Sequence, residues 1–118
     1  MEITLYHGTS RKYLENLLQK GILPWGNLGK NNWESEMDFY GLFTPKKDCV
    51  YLGYFNEAER YAKFEEEGIV LKVKVNVNNL EADEDSSQKN WKDSLRLNGT
   101  CAYCGIISPN KIKEVINL

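Results

Sequence analysis

The hexapeptide Leu5-Tyr6-His7-Gly8-Thr9-Ser10 carries the single histidine of the chain, at the end of an apolar run and followed by glycine and two hydroxyls. An imidazole there can donate from one nitrogen and accept at the other, and a glycine beside it leaves the backbone open to close approach by a flat ligand. The same histidine also reads as a core residue satisfied by a backbone carbonyl. Further groups with chemical potential are spread along the sequence. They are the tyrosines Tyr51, Tyr54, Tyr61 and Tyr103, the acidic run Asp83-Glu84-Asp85, and three cysteines.

Cys101 and Cys104 form a CxxC, and Cys49 with His7 would complete a Cys3His metal set. Zinc ligands of this type sit on turns. Here the CxxC runs into Gly105-Ile106-Ile107 and reads as a strand, in which residues three apart point to opposite faces. The expectation is reduced, partly buried thiols in a reducing compartment rather than a metal.

The elements that must position these groups follow from periodicity. Met1 to Tyr6 reads as a strand that His7-Gly8-Thr9-Ser10 terminates. Thr9 or Ser10 caps a helix whose apolar face is Tyr13, Leu14, Leu17 and Leu18, with Gly21 as its stop. Pro24 to Asp48 has many Gly, Asn and Pro residues, and Trp25, Trp33, Phe39 and Tyr40. It shows no sustained period, the signature of a lid or binding loop with a helical turn inside it. Cys49 to Tyr54 reads as a strand. Asn56 and Glu59 have capping-box spacing for a helix with Ala58, Tyr61 and Ala62 on its inner face.

Ile69 to Val77 alternates, with Leu71, Val73, Val75 and Val77 on one side and Lys72, Lys74 and Asn76 on the other. Glu81 to Lys89 reads as a solvated acidic loop that leads into a short helix through Trp91 and Leu95. Asn98-Gly99 suits either a two-residue hairpin or a loop leaving that helix. The Cys101 strand follows, Ser108-Pro109-Asn110 breaks the chain, and Lys111 to Leu118 closes it as a last strand. The order predicts an α+β fold in one domain spanning 1–118.

Length and charge limit the function classes. The chain has 118 residues and a formal net charge of -2, with scattered Lys and Arg. This size suits one compact domain with a real core, and the charge lacks the basic footprint of a phosphate-backbone binder. No apolar run approaches the roughly 20 residues of a membrane helix. The expectation is a soluble cytoplasmic protein with no membrane partner.

Leu5-Tyr6-His7-Gly8-Thr9-Ser10, followed by Tyr13 to Ile22, resembles the first strand and helix of the ADP-ribosyltransferase fold, in the histidine-tyrosine branch of diphtheria toxin and the poly(ADP-ribose) polymerases. Val50-Tyr51-Leu52 resembles the second motif of that branch, and Tyr61 its second tyrosine, at a spacing one residue shorter than the family pattern. The closing Ile-x-x-Pro-x-x-Ile-x-x-Val of Ile106 to Val115 agrees as well, so the resemblance covers nearly the whole chain. It implies a split β-sheet with two main helices and a long loop over the cleft, and NAD as the cofactor. Tyr51 and Tyr61 would sandwich the nicotinamide, and the Gly8 backbone would pair with its carboxamide. His7 would hold a ribose hydroxyl, while Thr9 or Ser10 would reach a second one.

The family usually places a glutamate on a late strand to stabilise the oxocarbenium-like species formed as the nicotinamide bond breaks. The corresponding position falls at or near Tyr103, which is not acidic. An acid from the Asp83-Glu84-Asp85 cluster, with Glu84 at its centre, or a carboxylate or phosphate on the acceptor, would have to take that role.

The resemblance therefore implies an NAD-dependent mono-ADP-ribosyltransferase, a glycosyltransferase of the phage, toxin or conflict type. Its acceptor would be a macromolecule, protein rather than nucleic acid, and an inhibitor or antitoxin protein would be a further partner. Two other readings stand beside it. One is a module of the same fold that binds NAD, a nucleotide or a partner without turnover. The other is an RNA 2'-phosphotransferase, for which Arg11, Arg60 and Arg96 are the only arginines and do not group in sequence.

Overall fold

A computed structural model describes residues 1–24, 49–83 and 86–118. Among them the chain forms a six-stranded antiparallel sheet with three α-helices. The strands are β1 (Glu2–Ser10), β2 (Cys49–Gly53), β3 (Gly68–Asn76), β4 (Leu80–Ala82), β5 (Thr100–Cys104) and β6 (Ile112–Asn117). The helices are α1 (Leu14–Lys20), α2 (Phe55–Ala62) and α3 (Trp91–Asn98). Sheet order is β4-β5-β2-β1-β3-β6. The α+β class expected from the element order is the class observed. The Pro24 to Asp48 loop expectation lies, apart from Pro24, outside the described residues, as does Glu84.

β1 is longer than its sequence suggests. His7-Gly8-Thr9-Ser10 does not end the strand but continues it, because β3 supplies a registered partner at every position from Glu2↔Asn76 to Ser10↔Gly68. At Ser10 the chain turns. The Ser10 hydroxyl accepts from the Lys12 N–H at 3.4 Å and donates to the Glu66 carbonyl at 2.6 Å, capping a 3-10 turn that precedes α1. α1 ends at Gly21 as expected, and it buries Leu17 while Leu18 remains exposed.

Alternation sorts the side chains of the sheet onto two faces. Leu5, His7 and Thr9 of β1 register with Val73, Leu71 and Ile69 of β3, and with Val50, Leu52 and Cys101 they belong to the face carrying the main apolar core. Leu17 of α1 and Leu95 of α3 cover that face. Tyr6 and Gly8 face the other way, toward α2, where Ala58 and Ala62 pack with Val70. Gly8 permits this approach: a Cβ there would lie 2.3 Å from the Ala58 carbonyl oxygen. Phe55 meets Tyr6 edge-on, with ring centroids 5.6 Å apart.

Two local expectations are corrected and one open reading is decided. The helix after β2 begins at Phe55, with Tyr54 as a cap that makes no side-chain bond, so Asn56 and Glu59 lie inside it rather than forming a capping box. The acidic segment is not wholly a solvated loop. Leu80 to Ala82 pairs with β5, and Asp83 is buried, where its carboxylate accepts from the Thr100 hydroxyl at 2.8 Å and its N–H donates to Ser94 Oγ at 3.0 Å. Of the two readings of Asn98-Gly99, the loop leaving the helix is the one observed: Gly99, at φ +81°, closes α3 in the left-handed conformation that glycine adopts without strain.

Candidate functional site

The sheet is two ladders joined at a narrow seam. β1, β3 and β6 form one, β2, β5 and β4 the other, and the seam between β1 and β2 is the single pair Tyr6↔Gly53. Immediately after Tyr6, the His7 imidazole crosses to the second ladder, its Nδ1 lying 3.0 Å from the Tyr51 carbonyl oxygen. A carbonyl only accepts, so Nδ1 carries the proton and the neutral ring presents Nε2 as an acceptor. Burial depresses the His7 pKa below its ordinary 6.5, a shift opposed by the hydrogen bond to Tyr51. With His7 only 4% exposed, the ring is neutral at physiological pH.

The residues singled out from sequence fall into two groups. Tyr51 shares its face of β2 with Gly53, the register mate of Tyr6, and so stands on the α2 side with Gly8. Tyr61 lies on α2 itself, half-buried, between the Ala58 and Ala62 turns that rest on Gly8. Tyr51, Gly8 and Tyr61 are therefore gathered on one side of the sheet. His7 and Thr9 point to the opposite side, and the bond from His7 reaches the main chain of Tyr51, not its ring. Ser10 is buried, with its hydroxyl engaged in the cap and with Glu66, an arrangement that answers to helix initiation.

Tyr103 also belongs to the core side. It registers with Val50 and Leu80, packs against the main core and accepts a hydrogen bond from Asn79 Nδ2 at 3.1 Å. The residue of β5 opposite Tyr51 is Ala102, and the residue of β4 opposite Ala102 is Glu81. A row Tyr51, Ala102, Glu81 thus crosses three strands on the α2 side, its ends about 10 Å apart at two interstrand spacings. Sequence reading missed Glu81 because it seemed part of a polar loop. The signal available was the Leu80-Glu81-Ala82 alternation, too short to stand out from an acidic run. Glu57 is a second carboxylate on this side, at the start of α2, where Arg60 donates to it at 3.3 Å.

No protein-family model matches the chain, and comparison with curated proteins gives no significant match. Among the described residues no helix is long and apolar enough to cross a membrane.

Proposed function

We propose that the protein is an NAD-dependent mono-ADP-ribosyltransferase acting on a macromolecular acceptor. The observation that carries this reading is the seam: a sheet joined at one residue pair, with the lone imidazole bonded across it to the backbone of Tyr51. Separating two strands of a sheet frees backbone groups and aromatic faces for a flat ligand, and Tyr51, Tyr61 and Gly8 all lie on the α2 side of the sheet. Their chemistry suits a nicotinamide ring, since two phenol faces attract a cationic heterocycle and a backbone amide pairs with its carboxamide.

In this reading His7 is a positioning residue. Its Nδ1–H holds the Tyr51 main chain, and through it the ring, at the edge of the opening. The acid that the resemblance puts near Tyr103 is replaced by Glu81, which shares the Tyr51 side of the sheet, or by an anionic group on the acceptor. Tyr51, Gly8 and Tyr61 bind the nicotinamide end; Glu81 stabilises positive charge developing on the ribose as the glycosidic bond lengthens.

The test is titration of the protein with NAD, with mass spectrometry of the solution for released nicotinamide. Binding and release are expected, with both lost in Tyr51→Ala and release alone reduced in Glu81→Gln. Binding without release would favour a non-catalytic module. Removal of a 2'-phosphate from RNA, with NAD neither bound nor cleaved, would replace the proposal by a phosphotransferase.

A further inference from the structure

The CxxC spacing draws attention to Cys101 and Cys104, yet the sheet register makes a different pair. Cys101 lies opposite Leu52 in the main core, whereas Cys104 lies directly opposite Cys49 at the end of the β2–β5 ladder. Residues three apart on a strand stand on opposite faces, so the two cysteines of β5 are turned away from each other. Directly opposed residues of an antiparallel pair share a face.

We propose that Cys49 and Cys104 are a cross-strand dithiol that closes to a disulfide by exchange with a low-molecular-weight disulfide, a modification site independent of the NAD reading. The spacing suits the bond. Opposed residues in an antiparallel ladder have Cα atoms about 4.5 or 5.5 Å apart, within the roughly 4.4–6.8 Å that disulfides span. Their Cβ atoms, about 4.5–5.5 Å apart, need to close by only about 1 Å to reach disulfide geometry. All three cysteines are thiols in this structure.

Access sets the order of events. Cys104 is half-buried and is followed by Gly105, while Cys49 and Cys101 are buried. The Cys104 thiolate attacks one sulfur of the small disulfide, forming a mixed disulfide and releasing one thiolate. Cys49, deprotonated, then attacks the Cys104 sulfur and expels the second small thiolate. Two protein thiols are oxidised, one small disulfide is reduced to two thiols, and the two protons lost by the cysteines are taken up by the departing thiolates. Cys101 stays out of this exchange: burial first, then Asp83 and Cys104, push its thiol up to about 12, so its thiolate is scarce.

The closed bond would pin the first residue of β2 to the last residue of β5, two positions from Tyr51 on the same face. It would fix the strand that carries the tyrosine.

The experiment incubates the full chain with oxidised glutathione, without NAD. Intact mass should fall by two hydrogens, and non-reducing peptide mapping should recover a Cys49–Cys104 cross-link while Cys101 is alkylated only after unfolding. Cys101→Ser should form the same cross-link at the wild-type rate. Cys104→Ser should form none, and Cys49→Ser should stop at the glutathione adduct on Cys104. The oxidised protein should melt at a higher temperature than the reduced one, and a dithiol reductant should reverse the shift. A Cys101–Cys104 bond, a stable glutathione adduct on wild-type Cys104, or unchanged mass would each overturn the proposal. None of these outcomes depends on whether NAD binds.

Discussion

The two ladders of the sheet are held together in different ways. In the β1–β3–β6 ladder, nine consecutive registered pairs join β1 to β3, and α2 lies against it through small residues at Gly8, Ala58 and Ala62. In the β2–β5–β4 ladder the pairing is shorter, five positions and then three, and it is secured at its far end by polar side chains, Asp83 with Thr100 and Ser94. Between the ladders, among the described residues, β1 and β2 register at Tyr6↔Gly53, and the His7 imidazole bonds across to Tyr51. Regular backbone pairing supports each half, while their relative placement relies on side-chain packing, the Tyr6↔Gly53 pair and contacts such as the buried His7–Tyr51 hydrogen bond.

The contrast can be broken most severely at the shared core. Leu71 is fully buried opposite His7 in the long ladder, and Leu71→Ala should cost about 2–5 kcal/mol of stability. Urea unfolding measures this, and a loss below about 1 kcal/mol would mean that the core at the seam is loosely packed. Next comes Gly8→Ala, which should destabilise by about 1–3 kcal/mol because its methyl meets the α2 backbone rather than a flexible side chain. A neutral outcome there would show that α2 is free to lift away from the long ladder.

The seam itself is probed by pH. The folded protein resists protonation of His7, whereas the unfolded chain takes the proton at the ordinary value of 6.5. Unfolding therefore takes up a proton below that pH, and stability should fall as pH drops through 6.5, by at most about 1.4 kcal/mol per pH unit. His7→Asn retains a donor for the Tyr51 carbonyl but does not titrate, so this part of the acid slope should vanish from its denaturation curves. An identical slope in both proteins would assign the acid sensitivity to carboxylates instead. The smallest effect belongs to Ser10→Ala at the far end of β1, about 1 kcal/mol from loss of the cap, which a shift in urea midpoint with unchanged slope would record.

Residue patterns alone carried much of this architecture. The alternation of Leu71, Val73 and Val75 against Lys72 and Lys74 announced β3, and the apolar spacing of Ala58 and Ala62 gave the inner face of α2. Ser10 was recognisable as a cap and Gly21 as a stop. Where expectation and structure part, a long-range partner intervened. His7 to Ser10 look like a strand end because glycine weakens local β preference and hydroxyls offer a helix cap, but β3 extends the ladder through them. Asp83 looks solvated because it sits in an acidic run, until Thr100 and Ser94 arrive from distant positions to satisfy it.

The candidate site divides in the same manner. The residue types at His7, Gly8, Tyr51 and Tyr61 were visible in the linear order, together with the ligand chemistry those types suit. Which of them face one another was not, since strand alternation says that neighbours point apart but leaves open which strand lies alongside. Register alone places Tyr51 with Gly8, Tyr103 with the core, Glu81 in line with Tyr51, and Cys104 against Cys49. Sequence by itself determined most of the elements and the residue types they carry, because periodicity and capping act over a few residues. Tertiary structure decided the pairings, because one residue of register carries every side chain of a strand to the other side of the sheet.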